Sequence, residues 1–393
     1  MTETITRRPD VDSDWADLAA QFDVRKDTIY LNQGSFGISP RIVRQERRRW
    51  IDELDCQPMD FYVREFEPLL AKTLDQLAQF LNTVKESLIF VENATTGMNI
   101  VADSFPLIAG DQVVSNNHEY GAVHRIWDRA CERADAQHRI ARLPDIFESH
   151  EQVVEAVFAE VNEHTRLIIV SHITSATALI MPVQAICDRA GEMGIPVCID
   201  GPHAPAHVPL DLTELNCAFY TSSCHKWLCA TLGSGFLYVH PEFQHQVQPP
   251  VKSWGRLLPA MPEEWFEEFI WPGTRDPSSY LSVGTAIDFM QSVGLSAFRD
   301  RTYTMARQTA ADLMELTGTV PLGRDPIFYG TMAHVPLPEG DWSQFQMKLW
   351  QQAGIEVPII SFENRYFVRV SHHLYTTREH CDTLLEEIRK ALA

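Results

Sequence analysis

The chain has 393 residues, enough for two or three domains at roughly 100–200 residues each, and 45% of them are hydrophobic, the share of a globular protein. Fifty-three acidic side chains against 33 basic ones give a net charge of −20, which excludes a nucleic-acid partner because neutralising phosphates takes a basic stripe. No run of about 18 apolar residues exists to span a bilayer, and the opening MTETITRRPDVDSDW lacks the apolar core of a signal peptide; a cytoplasmic protein without a membrane partner, its eight cysteines reduced and mostly buried, is expected.

In chain order, residues 1–30 are expected to form an N-terminal segment packed with the small domain, 31–285 a large domain, and 286–393 a small C-terminal domain. Arg47-Arg48-Arg49 falls in a helical pattern beside Trp50, Ile51 and Leu54 and reads as a solvated face. Arg64 has two readings, an ion pair on a helix with Asp60 or Glu67, or a contact to a second carboxylate of a ligand. Apolar β-rich runs then alternate with helical patterns: Ser87–Val91, Asp111–Ser115, Leu167–Ile173, Pro196–Asp200, Ala218–Ser222 and Phe236–His240, with a helix over Pro182–Met193 before Gly194. Continuous apolar strands between helices predict a mostly parallel sheet covered on both faces. A helical pattern from Ser278 to Val293 leads out of it, and the last hundred residues read as an α+β block closed by a helix with Leu384, Leu385, Ile388 and Leu392 on one face.

Four motifs sit at the ends of these strands. Ser222-Ser223-Cys224-His225-Lys226 places a lysine where a parallel strand runs out, the edge at which open α/β sheets bind ligands, and suits a Schiff base with a carbonyl cofactor. Asp200 closes the strand Pro196–Asp200 and could pair with a pyridinium nitrogen, which makes pyridoxal phosphate an electron sink. The run Asn93-Ala94-Thr95-Thr96-Gly97-Met98-Asn99 opens a helix, whose free N–H groups and positive dipole end suit the phosphate; the threonines there could equally be helix caps. In His118-Glu119-Tyr120-Gly121, Tyr120 is the ring expected to stack on a planar cofactor, with His118 as the alternative. His203 and His207 have metal-ligand spacing, but Pro202 and Pro205 break any helix around them and no metal is expected. Gly233-Ser234-Gly235 precedes a strand rather than opening a helix, so it is no dinucleotide fingerprint.

Together with Leu31-Asn32-Gln33-Gly34-Ser35-Phe36-Gly37 and Arg369-Val370-Ser371-His372-His373-Leu374-Tyr375, these motifs resemble the class V aminotransferase group of fold type I pyridoxal-phosphate enzymes, above all its isopenicillin N epimerase-like branch. The resemblance implies a large domain with a mostly parallel seven-stranded sheet plus a small C-terminal α+β domain. It implies pyridoxal 5'-phosphate on Lys226, Asp200 at the ring nitrogen, and His203 near the phenolic oxygen. Thr95, Thr96, Gly97, Ser223 and His225 would hold the phosphate, Thr274 would reach the phosphate of the neighbouring subunit of a homodimer, and Arg369 would bind the substrate carboxylate. Asn32, Gly34 and Ser35, with Gln33 and Phe36, would approach the substrate. Cysteine desulfurases carry a nucleophilic cysteine shortly before that arginine; here the stretch reads Pro358-Ile359-Ile360-Ser361-Phe362-Glu363-Asn364-Arg365, so persulfide chemistry is not expected.

The expected substrate is an amino acid, from whose Cα the Lys226 amine removes a proton. Return of the proton from the opposite side gives epimerisation, for which Tyr120 and His118 are the candidate acids. Transamination and cleavage of a C–S bond remain open, because reaction specificity lies in a few groups around Cα. A non-catalytic protein of this fold would be marked by loss of the lysine or the aspartate, and both are present.

Overall fold

The computed structural model describes residues 15–256 and 261–393. Of the segment 1–30, residues 1–14 therefore lie outside the described residues.

The central element is a seven-stranded sheet in the order Leu88–Val91, Gly235–Val239, Phe219–Ser223, Val197–Asp200, Thr165–Ser171, Gln112–Asn116, Gln137–Ala141. Gly235–Val239 runs antiparallel to both of its neighbours, and the other six strands are parallel. The six strands expected from the sequence are all present with ends shifted by a residue or two. Their side chains are buried on both faces, which is why they read as unbroken apolar runs. The seventh, Gln137–Ala141, was not expected: it is an edge strand, Gln-His-Arg-Ile-Ala, with three exposed positions and little apolar signal. Helices Ala94–Ser104, Gly121–Ala134, His150–Phe158 and Val183–Glu192 fill the connections.

The expected helix over Ser278–Val293 is two helices, Ser278–Leu281 and Val283–Val293, so residue 285 falls inside the second. The long helix Leu295–Thr317 then joins two cores: Phe298 packs with the sheet domain, whereas Ala306 and Leu313 pack with the C-terminal strands. Those strands form an antiparallel sheet in the order Ile359–Phe362, Arg365–Ser371, Met332–Pro336. The closing helix, Arg378–Leu392, buries Leu384, Leu385 and Ile388 against it. Ile29–Tyr30 pairs in parallel with Ile355–Glu356, tying the chain's early residues to this block. Because Arg369 lies in the central strand of the small sheet, closing the two layers brings a C-terminal side chain to the edge of the large one.

In the helix Arg41–Cys56, Arg49 pairs with Glu46 at 2.6 Å and stacks on Trp50, while Arg47 turns toward the Ser278 hydroxyl at 3.3 Å. Arg64 makes an exposed i,i+4 pair with Asp60 at 2.5 Å, the ion-pair reading of the sequence.

Candidate active site

Five parallel strands end on one side of the sheet, and the residues that follow each of them line a single cavity of about 360 Å³. Asn93, Ala94 and Thr95 follow the first strand, Tyr120 the second, Ile173 and Ser175 the next. Asp200 ends the fourth, with Pro202 and His203 after it; Ser223 ends the fifth, with His225 and Lys226 after it. Arg369 enters from the small sheet, and Gly34, Ser35 and Phe36 complete the wall. This is the carboxyl edge at which doubly wound sheets bind ligands.

Lys226 Nζ lies 2.9 Å from His203 Nε2, and the Trp227 indole donates to His203 Nδ1 at 3.2 Å. Loss of hydration pushes the Lys226 pKa down and that of Asp200 up, and the attraction between the two opposes both shifts. Arg369, 3% exposed, adds to the pressure against a second positive charge on Lys226.

The main chain of the lysine is clamped from behind. Gln33 Nε2 donates to the Lys226 carbonyl at 2.7 Å, and Gln33 Oε1 accepts from Ile38 N at 2.9 Å and from the Tyr375 hydroxyl at 2.7 Å. A Cβ on Gly37 would lie 2.0 Å from the His225 carbonyl oxygen and 2.8 Å from that of Lys226, so only glycine permits this approach. Gln33 thus holds the lysine rather than a substrate. Gly34 contributes by lacking a side chain, since a Cβ would come within 3.1 Å of Met332 Sδ and 3.3 Å of His203 Cε1.

At the other end, Asn93 caps the helix Ala94–Ser104 through Thr96 N at 3.0 Å. Ser223 Oγ accepts from Ala94 N at 3.0 Å, which leaves its own proton to donate. His225, mostly buried, has an Nδ1 with no partner. Thr95, the Ser223 hydroxyl and the His225 ring line the cavity around a helix N-terminus, an arrangement suited to a phosphate. Thr96 and Gly97 do not line the cavity. The Thr96 amide is already satisfied by Asn93, and Gly97 lets the helix settle on Thr221, whose Oγ1 would be 2.1 Å from a Cβ.

Arg369 donates from Nη2 to Ser35 Oγ at 2.8 Å and from Nη1 to the Ser175 carbonyl, while its buried Nε has no partner. Burial lowers its pKa to about 10, so it stays charged at neutral pH. Tyr120 is half exposed at the mouth of the cavity. His118 is not a lining residue: it is buried behind the wall, with Nδ1 2.8 Å from Thr177 Oγ1 and its ring against Phe362 at 4.6 Å, and burial lowers its pKa to about 4. Asn32 is also outside the cavity, donating to Glu356 Oε1 at 3.3 Å. Thr274 is exposed and does not reach this cavity, and its expected role concerns a neighbouring subunit.

Sequence reasoning missed three residues. Ser175, in the loop after Thr165–Ser171, orients Arg369; Trp227 binds His203; and Glu119 is a buried carboxyl that accepts from Ser171 N at 2.8 Å and from its hydroxyl at 2.5 Å. Only the strand end before Ser175 offered a signal. His207 accepts from Thr331 N at 2.8 Å, and no metal-binding group of three side chains occurs among the described residues.

A model of the aminotransferase class-V family matches residues 62–384. The chain belongs to the class-V aminotransferase family. Within this family it is 32% identical to isopenicillin N epimerase of Amycolatopsis lactamdurans over 96% of the chain and 98% of that protein. It is 29% identical to a putative L-cysteine desulfhydrase of rice, Oryza sativa subsp. japonica, over 92% of the chain and 83% of the relative. Among solved structures, a variant of C-DES with glycine covalently linked to its pyridoxal-phosphate cofactor superposes with a TM-score of 0.84 at 20% identity, covering 94% of this chain and 98% of that one. The fold is fold type I, and the class-V chain is a pyridoxal-phosphate enzyme. Its cavity fits that cofactor: a half-buried amine, a buried carboxylate, and an unsatisfied imidazole nitrogen beside a helix N-terminus.

The stretch that would carry a desulfurase cysteine is here the hairpin Ile359–Phe362 and Arg365–Ser371, turned at Glu363 and Asn364 in the left-handed region. No cysteine lines the cavity, and all but Cys56 are buried, Cys224 and Cys229 within the core.

Proposed function

We propose that this enzyme moves the proton at the Cα of an amino acid in the manner of an epimerase. One observation carries the reading: Lys226 and Arg369, an amine and a carboxylate-binding fork, face one cavity that no thiol enters. Pyridoxal phosphate, held by Lys226, Asp200 and the Thr95, Ser223 and His225 donors, would withdraw electrons from the substrate's Cα–H bond. Arg369 would fix the α-carboxylate through the donors not committed to Ser35 and Ser175. Lys226 would take the Cα proton on one side. Tyr120 supplies the hydroxyl for returning a proton from the other, since His118 is walled off. The site is read as belonging to a homodimer, with Thr274 serving the neighbouring phosphate; Phe36, an apolar side chain 68% exposed at the cavity, supports a covering subunit.

Incubation with L-amino acids in deuterated water tests this, with products resolved by chiral chromatography and mass spectrometry. Deuterium at Cα together with the D-isomer is expected. Release of a keto acid would replace the reading with transamination. Pyruvate with a sulfur product would replace it with C–S lysis, the second reading, which the desulfhydrase relative favours.

A further inference from the structure

Both ring nitrogens of His203 are engaged, one by Lys226 of the cavity wall and one by the buried Trp227. An indole N–H can only donate, so Trp227 Nε1, at 3.2 Å, makes His203 Nδ1 an acceptor. Complete burial holds this imidazole neutral, and the positive charge of Arg369 acts in the same direction. A neutral imidazole carries one proton, and with Nδ1 accepting, that proton is on Nε2. It faces Lys226 Nζ at 2.9 Å. An ammonium has no lone pair, so protonated Lys226 would oppose donor to donor; the neutral amine accepts.

We propose that Trp227 is a positioning residue which, by fixing the tautomer of His203, holds the free Lys226 side chain as a neutral amine ready to receive a proton. This rests on Lys226 being the amine that handles the Cα proton. The other groups facing the pair are Asp200 from the adjacent strand, Arg369 from the small sheet, and the imidazoles of His207 and His225. Arg369 disfavours the ammonium alongside the Trp227 contact, and Asp200 favours it. His207 does not compete for the proton, because its Nε2 already accepts from Thr331 N at 2.8 Å.

The Trp227 ring is buried edge-on against His207 at 4.7 Å, so Trp227→Phe keeps an aromatic in place and deletes the N–H. Nitrogen-15 spectra of histidine-labelled, full-length holoenzyme would read the tautomer, with His203 assigned by its loss in His203→Gln. The wild type should show His203 protonated at Nε2, and Trp227→Phe should mix in the Nδ1–H form. A second readout is trinitrobenzenesulfonate labelling of Lys226 against pH, quantified by peptide mass, after reversible removal of the cofactor. Here the variant's midpoint should move upward and its rate at pH 7 fall roughly threefold to tenfold, the scale of one net hydrogen bond. Return of the visible band on reconstitution checks that the fold survives.

An Nδ1–H wild type would overturn the proposal even if the variant fails to fold. So would a variant with unchanged tautomer and unchanged midpoint. If cofactor is instead found on another lysine, the reading of Lys226 fails while the His203 tautomer stays as assigned, so the two failures are distinguishable.

Discussion

Replacing Arg369 with glutamine tests the carboxylate site quantitatively. In the structure the guanidinium spends one N–H on the Ser175 carbonyl and one on Ser35 Oγ, leaving its buried Nε and the second hydrogens of the two Nη groups for a ligand. Two charge-assisted bonds to a substrate carboxylate, at about 1.5–3 kcal/mol each, amount to about 3–6 kcal/mol. At about 1.4 kcal/mol per factor of ten, that predicts a loss of kcat/KM of about 10²- to 10⁴-fold for Arg369→Gln. Arg369→Lys should recover part of the loss, since it keeps the charge and discards the fork. The assay is Cα proton exchange measured with an L-amino acid and with the matching primary amine that lacks the carboxylate. The wild type should prefer the amino acid strongly and the glutamine variant hardly at all, with the visible band of bound cofactor preserved in both. A variant that loses equally on both substrates, or on neither, would refute the assignment of Arg369.

Other outcomes follow from the same geometry. Gly37→Ala drives a Cβ into the His225 carbonyl, and should abolish cofactor binding or folding, read as loss of the visible band. Gln33→Leu frees the Lys226 carbonyl while leaving the side chains of the cavity in place, and should weaken cofactor retention during dialysis without eliminating it. Alkylation of the native enzyme should modify Cys56 and spare turnover; inactivation that tracks modification of another cysteine would revive thiol chemistry. His334, stacked on Phe367 at 4.5 Å, has its pKa lowered by burial to about 3. Its folded value is depressed below the unfolded one near 6.5, so the stability it contributes is present above pH 6.5 and lost as pH falls toward 3. Unfolding free energies from urea titration should therefore drop less between pH 7 and 5 in His334→Phe than in the wild type, by a margin on the order of 1–2 kcal/mol.

The parallel strands were legible because burial on both faces leaves runs such as Val197-Cys198-Ile199 with no polar interruption. Gln137–Ala141 escaped because an edge strand needs no such run. Lys226, Asp200 and Tyr120 were legible for a related reason: a strand end fixes which way the next residue faces, and five such ends meet at one cavity. The roles of Gln33 and Gly37 were not, since they depend on contacts across nearly two hundred residues of chain. His118 was a reasonable alternative to Tyr120 in sequence, yet the turn after Gln112–Asn116 sends it behind the wall toward Phe362. Trp227 gave no signal of its own in the sequence, because its hydrogen bond to His203 joins residues 24 positions apart that only the fold brings together.

The most direct measurement is borohydride reduction of the holoenzyme followed by peptide mapping. The account predicts a pyridoxyl-phosphate mass on the peptide that contains Lys226, with loss of the visible band and no label in Lys226→Ala. Label on a different lysine, or full retention of colour and label in Lys226→Ala, would contradict it.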